Sequence, residues 1–193
     1  ARKTETMPKV YVIGGCNGAG KTTASRTILP EILDCREFVN ADEIASALSL
    51  KNPEAVAFRA GRTMLERIRR LAETEIDFAF ETTLSTRSYV PMLEKFRTNG
   101  YAIILIYLYL ESVELAIQRV ADRVGRGGHS IPEDVIRRRY QRGIENFHTI
   151  FTKVADSWVL YDNSLTFSKL VARKTLGLDI EVFDADIWYR IRK

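Results

Sequence analysis

Short apolar runs alternate along the chain with stretches whose apolar residues recur every three to four positions. The runs are Lys9–Ile13, Glu37–Val39, Ile76–Phe80, Tyr101–Leu110 and Trp158–Tyr161. They are rich in β-branched and aromatic residues and read as buried strands. Helical spacing predicts a first helix over Lys21–Leu29 stopped by Pro30 and a long helix from Pro53 to about Glu73. Further helices are predicted over Thr86–Arg97, from Ser112 to about Val124, and from Ile131-Pro132-Glu133 onward. Gly100 is the expected cap of the third of these. In the long helix Val56, Met64, Leu65, Ile68 and Leu71 form the apolar stripe, and Arg59, Arg62, Arg67, Arg69 and Arg70 a solvated face. Gly61 weakens that helix, which suggests a close approach by another segment. Beyond Ser164, the chain with Phe183 and Trp188 reads as a terminal hairpin or helix on the outside. Strands alternating with helices predict an α/β protein of three layers around a central, mostly parallel, five-stranded sheet.

The first strand ends in glycine, and Gly15-Cys16-Asn17-Gly18-Ala19-Gly20-Lys21-Thr22 fits G-x-x-x-x-G-K-[ST] without a mismatch. A strand before it and a helix after it supply the context that the motif needs. Glycines let consecutive N–H groups and the helix N-terminus wrap an anion. Residues 15–23, ending in Thr23, are therefore the expected nucleotide cradle. Lys21 would reach the β- and γ-phosphates of ATP, and the Thr22 hydroxyl would sit on Mg²⁺.

Two other strands end in acidic and polar residues, where an open α/β sheet has its ligand crevice. The second runs into Asn40-Ala41-Asp42, where Asp42 reads equally as a helix N-cap or as a group facing substrate. The third ends in Glu81-Thr82-Thr83. Carboxylates at neighbouring strand ends beside a phosphate loop suit Mg²⁺ and an acceptor hydroxyl; the plainer reading is that Glu81 orders a loop. After the fourth strand, residues 112–145 carry seven arginines: Arg119, Arg123, Arg126, Arg137, Arg138, Arg139 and Arg142. A solvated surface, a nucleic-acid patch and a lid closing over nucleotide compete as readings, and the location favours the lid. His129, in the glycine hinge, and His148, beside Phe147 and Phe151, read as structural. The last central strand ends in Asp162-Asn163-Ser164, a turn where adenine often rests.

At 193 residues, 46% hydrophobic and 28% charged, with net charge +4, the chain suits one soluble domain over residues 7–193. Residues 1–6 read as a disordered or added polar extension ahead of Met7. No apolar run is long enough for a bilayer. Two cysteines, Cys16 and Cys35, are too few for a disulfide framework, so a cytoplasmic location is expected. An N-K-x-D guanine reader and an L-S-G-G-Q-like transporter signature are both absent. The order of what remains is that of a small phosphotransferase.

GGCNGAGKTT, VNADEIA, FRAGR, FAFETTLS, the lid arginines and YDNS together resemble the zeta-toxin kinases of bacterial toxin–antitoxin systems. The resemblance spans the P-loop to about Asn163. It implies ATP- and Mg²⁺-dependent phosphorylation of a sugar hydroxyl, with UDP-N-acetylglucosamine as the family's substrate, and an antitoxin partner. By position it implies Asp42 as the general base, held in an Asn-x-Asp turn with Asn40. Lys21, Arg119 and Arg126 would serve the phosphates, with Arg123 and Asn163 also on the nucleotide. Glu81 and Thr83 would face sugar nucleotide or metal. Ser85 stands where the family carries a substrate-contacting arginine; Arg87 lies nearby, out of register. Two alternatives stay open: a polynucleotide kinase or RNA-binding ATPase, and a non-enzymatic nucleotide-binding partner protein.

Overall fold

A computed structural model describes residues 7–31, 33–49, 56–128 and 130–193. Pro53 and His129 lie outside the described residues. The strands are β1 (Lys9–Gly15), β2 (Glu37–Val39), β3 (Phe78–Thr82), β4 (Ala102–Tyr109), β5 (Ser157–Asp162), β6 (Lys169–Lys174) and β7 (Ile180–Val182). The helices are α1 (Lys21–Glu31), α2 (Ala41–Leu48), α3 (Ala57–Ala72), α4 (Val90–Thr98), α5 (Val113–Gly125), α6 (Glu133–Asn146), α7 (Thr152–Val154) and α8 (Ala185–Ile191). A π-helical turn, Phe147–Phe151, joins α6 to α7.

Among the described residues the seven strands form one sheet in the order β2-β3-β1-β4-β5-β6-β7. The expected five strands, β1 to β5, pair in parallel. The terminal hairpin then extends the sheet antiparallel through β6 and β7, and α8 follows it. Terminal hairpin and terminal helix are thus both present, and the hairpin joins the sheet.

Alternation along β1 separates the two layers, because successive side chains of a strand point to opposite faces. Val10 and Val12 join Met64 and Ile68 of α3, Leu93 and Phe96 of α4, and Trp158 and Trp188 in one core. Tyr11 and Ile13 face the opposite way, onto Ala116 and Val120 of α5 and Ile136 of α6. Tyr107 stacks on Phe147 at 4.4 Å, and Trp158 on Trp188 at 5.5 Å. The five α3 arginines are all exposed, as the stripe on that helix requires.

Local differences from the sequence reading have local causes. Helix α1 continues through Pro30 to Glu31, a proline in the last turn rather than beyond it. Helix α4 starts at Val90, not Thr86, with Pro91 in its first turn, where a missing N–H costs no helical bond. Its C-terminal end is as expected: Gly100 has φ +90°. The Gly100 and Tyr101 N–H groups donate back to the carbonyls of Arg97 and Phe96, closing a Schellman motif. A Cβ built on Gly61 meets no described atom within 4 Å, so that glycine serves no close approach among the described residues.

Candidate active site

β1 is central, flanked by β3 and β4, so its carboxyl end opens into the crevice where strand order reverses. The loop Cys16–Gly20 leaves β1 there and runs into α1. Gly15, Gly18 and Gly20 have φ of +148°, +80° and +85°, a region that side chains adopt only with strain. Space forbids them as well. A Cβ on Gly15 would lie 2.6 Å from the Leu108 carbonyl oxygen, and one on Gly18 2.8 Å from that of Ala116. The Cys16 and Ala19 side chains are buried behind the loop. Burial pushes the Cys16 thiol up to about 11, with Lys21 and Arg119 opposing, so it is a neutral packing group at physiological pH.

The crevice is a cavity of about 470 Å³. One wall holds Asn17, Gly18, Gly20, Lys21, Thr22 and Thr23, with Arg119, Arg123 and Arg139 above it. Lys21 is buried and its Nζ donates to the Cys16 carbonyl at 2.9 Å. The other wall holds Asn40, Asp42, Glu81 and a row of hydroxyls: Thr82, Thr83, Ser85, Thr86, Ser88 and Tyr89. The Thr83 and Ser85 hydroxyls lie 2.8 Å apart.

Asn40, not Asp42, caps α2: its Oδ1 accepts from the Asp42 and Glu43 N–H groups at 2.7 and 3.4 Å. This leaves the Asp42 carboxylate in the first helical turn, exposed at the cleft. Glu81 accepts a hydrogen bond from the Thr22 hydroxyl at 3.0 Å. Burial pushes the Glu81 carboxyl above its usual value; Lys21 and the Thr22 bond oppose this, while Asp42 and Glu43 add to it. A cation beside Glu81 would relieve that unfavourable charge. Among the described residues no cluster of three or more His, Cys, Asp or Glu could hold a metal alone. One hydroxyl and one carboxylate fit Mg²⁺, which keeps waters and phosphate oxygens as its other ligands.

The lid arginines divide by helical phase. Arg119 donates to the carbonyls of Asn163 and Ser164 at 2.9 and 2.8 Å, tying α5 to the turn after β5. Asn163 in turn donates to the Ala19 carbonyl at 2.7 Å, so that turn braces the phosphate loop from behind. Arg123 reaches the cleft. Arg126 does not: it caps α5, exposed and away from the lining. Arg87 is likewise exposed and outside the lining. Arg139 does line the cleft, donating to Asn17 Oδ1 at 3.2 Å. The sequence reading grouped Arg139 with its neighbours as lid or solvated face. The signal was its phase, three residues after buried Ile136 and four before buried Gly143. Arg137, by contrast, pairs outward with Glu114 at 2.9 Å. The hydroxyl row beyond Thr83 was also missed.

Phosphate loop, strand order and cleft together define a P-loop kinase fold. The zeta toxin family's sequence profile matches residues 1–167, and the chain belongs to that family. An uncharacterized protein of Haemophilus influenzae is 31% identical over 126 residues, covering 65% of this chain and 88% of that protein. Among solved structures, the AvrRxo1-ORF1:-ORF2 complex with ATP aligns at TM-score 0.76 and 14% identity, over 97% of this chain and 64% of the other. This chain thus spans less than two thirds of that protein. The PezAT toxin–antitoxin system of Streptococcus pneumoniae aligns at 0.59 and 19% identity, covering 87% of this chain and 74% of that one. A gluconokinase from Sinorhizobium meliloti aligns at 0.55 and 18% identity, covering 83% and 86%. At these identities the fold is what is shared. Among the described residues, no helix is long and apolar enough to cross a membrane.

Proposed function

We propose that this chain is an ATP-dependent kinase that phosphorylates a hydroxyl of a small molecule, with a sugar nucleotide such as UDP-N-acetylglucosamine as the first acceptor to test. The observation that carries the reading is one cleft with a phosphate cradle on one wall and Asp42 among hydroxyls on the other. The acceptor oxygen bonds to the γ-phosphorus as the bond to the β–γ bridging oxygen breaks. ADP leaves, and the acceptor proton passes to Asp42. Lys21 and the inward lid arginines, Arg123 and Arg139, meet charge on the transferred group, where fixed cations act most strongly. Thr22 and Glu81 would hold Mg²⁺, which would neutralise phosphate charge when bound. Family membership supports an antitoxin partner as part of the same reading, and a cytoplasmic location goes with it.

The test is transfer of label from γ-labelled ATP to a panel of UDP-sugars, free sugars, nucleosides and short RNA or DNA. Label on UDP-N-acetylglucosamine is the expected result. Label on nucleic acid alone would replace the reading with polynucleotide kinase activity. ATP binding with no transfer to any acceptor, and no hydrolysis, would leave a nucleotide-sensing protein.

A further inference from the structure

Helix α6 crosses the carboxyl edge of the sheet. Ile136 and Tyr140, near its start, pack in the core shared with α5. Ile144 and Phe147, at its end, pack in the opposite core. Between these anchorages one face of the helix passes over the cleft, and three residues at helical spacing touch its parts. Arg139 holds Asn17 of the phosphate loop. Gly143 lies so close to the acceptor wall that a Cβ there would be 2.6 Å from the Thr83 carbonyl oxygen. Asn146 is buried, and its Nδ2 donates to the Leu84 carbonyl at 2.7 Å.

Leu84 is the residue that needs holding. It is fully buried with φ +54°, a left-handed conformation disfavoured for a branched side chain. Its N–H donates to the Thr82 hydroxyl at 3.1 Å, and its carbonyl goes to Asn146. The residues on either side, Thr83 and Ser85, carry the paired hydroxyls that line the cleft. Strain of this kind persists where the surroundings over-determine the backbone, and it clusters at working sites.

We infer that Asn146 is a positioning residue for the acceptor loop: with Gly143, it fixes the left-handed turn at Leu84 and thereby aims Thr83 and Ser85 at the substrate. α6 thus sets the phosphate loop and the acceptor wall from one rigid element. The inference rests on the kinase reading for its purpose, but the loop geometry can be tested without any acceptor. Asn146→Leu removes the donor while keeping an apolar-compatible volume. Hydrogen–deuterium exchange of amides in residues 82–88 should quicken about tenfold or more, the mark of local opening. Exchange in β1, β4 and the phosphate loop should stay unchanged, as should the Kd for ATP. Gly143→Ala, which forces the Thr83 carbonyl to move, should give the same local signature and serves if Asn146→Leu fails to fold.

With an acceptor identified by the transfer panel, the acceptor KM should rise at least about fivefold while kcat and the ATP KM change little. Unchanged exchange at 82–88 in both variants would overturn the inference, whatever the acceptor proves to be. So would exchange that quickens equally across the sheet, which would make Asn146 a general packing residue. If no acceptor is labelled but exchange rises locally, the positioning holds and the kinase reading alone fails.

Discussion

Thr22 Oγ1 donates to Glu81 Oε2 at 3.0 Å, across 59 residues of chain. Asn40 Nδ2 approaches the same hydroxyl oxygen at 3.4 Å. One hydroxyl therefore gathers the carboxyl ends of β1, β2 and β3. A hydroxyl has one proton and two lone pairs; with the proton on Glu81 and one lone pair towards Asn40, the other is left for a hard cation. Burial raises the carboxyl of Glu81 although Lys21 and the Thr22 bond oppose it, with Asp42 and Glu43 adding to the rise. A further cation beside these three side chains would relieve that cost.

Glu81→Gln separates function from stability. It keeps an acceptor for Thr22 but removes the charge that would meet Mg²⁺, so transfer should fall about 100-fold or more. The raised carboxyl has the opposite consequence for folding. The folded state holds its proton more tightly than the unfolded state, so stability falls as pH rises from the ordinary carboxylate range through the elevated folded value. In thermal melts without nucleotide, Glu81→Gln should therefore melt above the parent at neutral pH, and the gap should close in acid below that range. A gap independent of pH would mean that Glu81 is not the titrating group.

Lys21 is anchored to the Cys16 carbonyl, which holds its ammonium group within the phosphate loop. Lys21→Ala should lower transfer by about 100- to 1,000-fold, the usual loss for one preorganised charge at the transferred group, and should weaken ATP binding in calorimetry. Unchanged turnover would remove the phosphate loop from the reaction.

Asp42 is exposed at the cleft because Asn40 has taken over the capping of α2. Asp42→Asn leaves that cap intact and should lower transfer by about 100- to 10,000-fold, the range for loss of a general base. The Kd for ATP should be unchanged. Near-normal transfer by this variant would leave Asp42 as a bystander.

What the sequence made legible was local. The phosphate loop, the acidic strand ends and the five parallel strands all follow from short patterns of glycine, charge and apolar runs, and all stand in the structure. The residues that were missed depend on phase or on distant pairing. Arg139 and Arg126 look alike in composition, yet Arg139 faces Asn17 because α6 is positioned by Ile136 and Phe147 at its two ends, whereas Arg126, at the C-cap of α5, faces solvent. Helix α4 starts four residues later than predicted because local hydroxyl bonds hold 82–88 in turns and Leu84 is tied to Asn146, 62 residues away, contacts that helix propensity does not register. β6 buries only Val171 and Ala172 between charged and half-buried neighbours, and β7 is exposed throughout, Ile180 and Val182 included, so neither carries the buried-strand pattern that marked the first five.

Two glycines give the last prediction, and their environments set opposite signs. Gly18 has φ +80°, and a Cβ there would meet the Ala116 carbonyl oxygen at 2.8 Å and Arg119 Cβ at 3.2 Å. Gly18→Ala should destabilise the protein by about 1–3 kcal/mol and weaken ATP binding, since the loop can relax only by losing its shape. Gly61 lies inside α3, and among the described residues nothing comes within 4 Å of its would-be Cβ. There alanine removes the helix penalty of glycine, about 0.5–1 kcal/mol. For a chain of this size that corresponds to a Tm rise of roughly 1–4 °C. Melting followed by circular dichroism, with ATP titrations on both variants, checks the pair. If Gly61→Ala melts at or below the parent, some segment does approach that helix face.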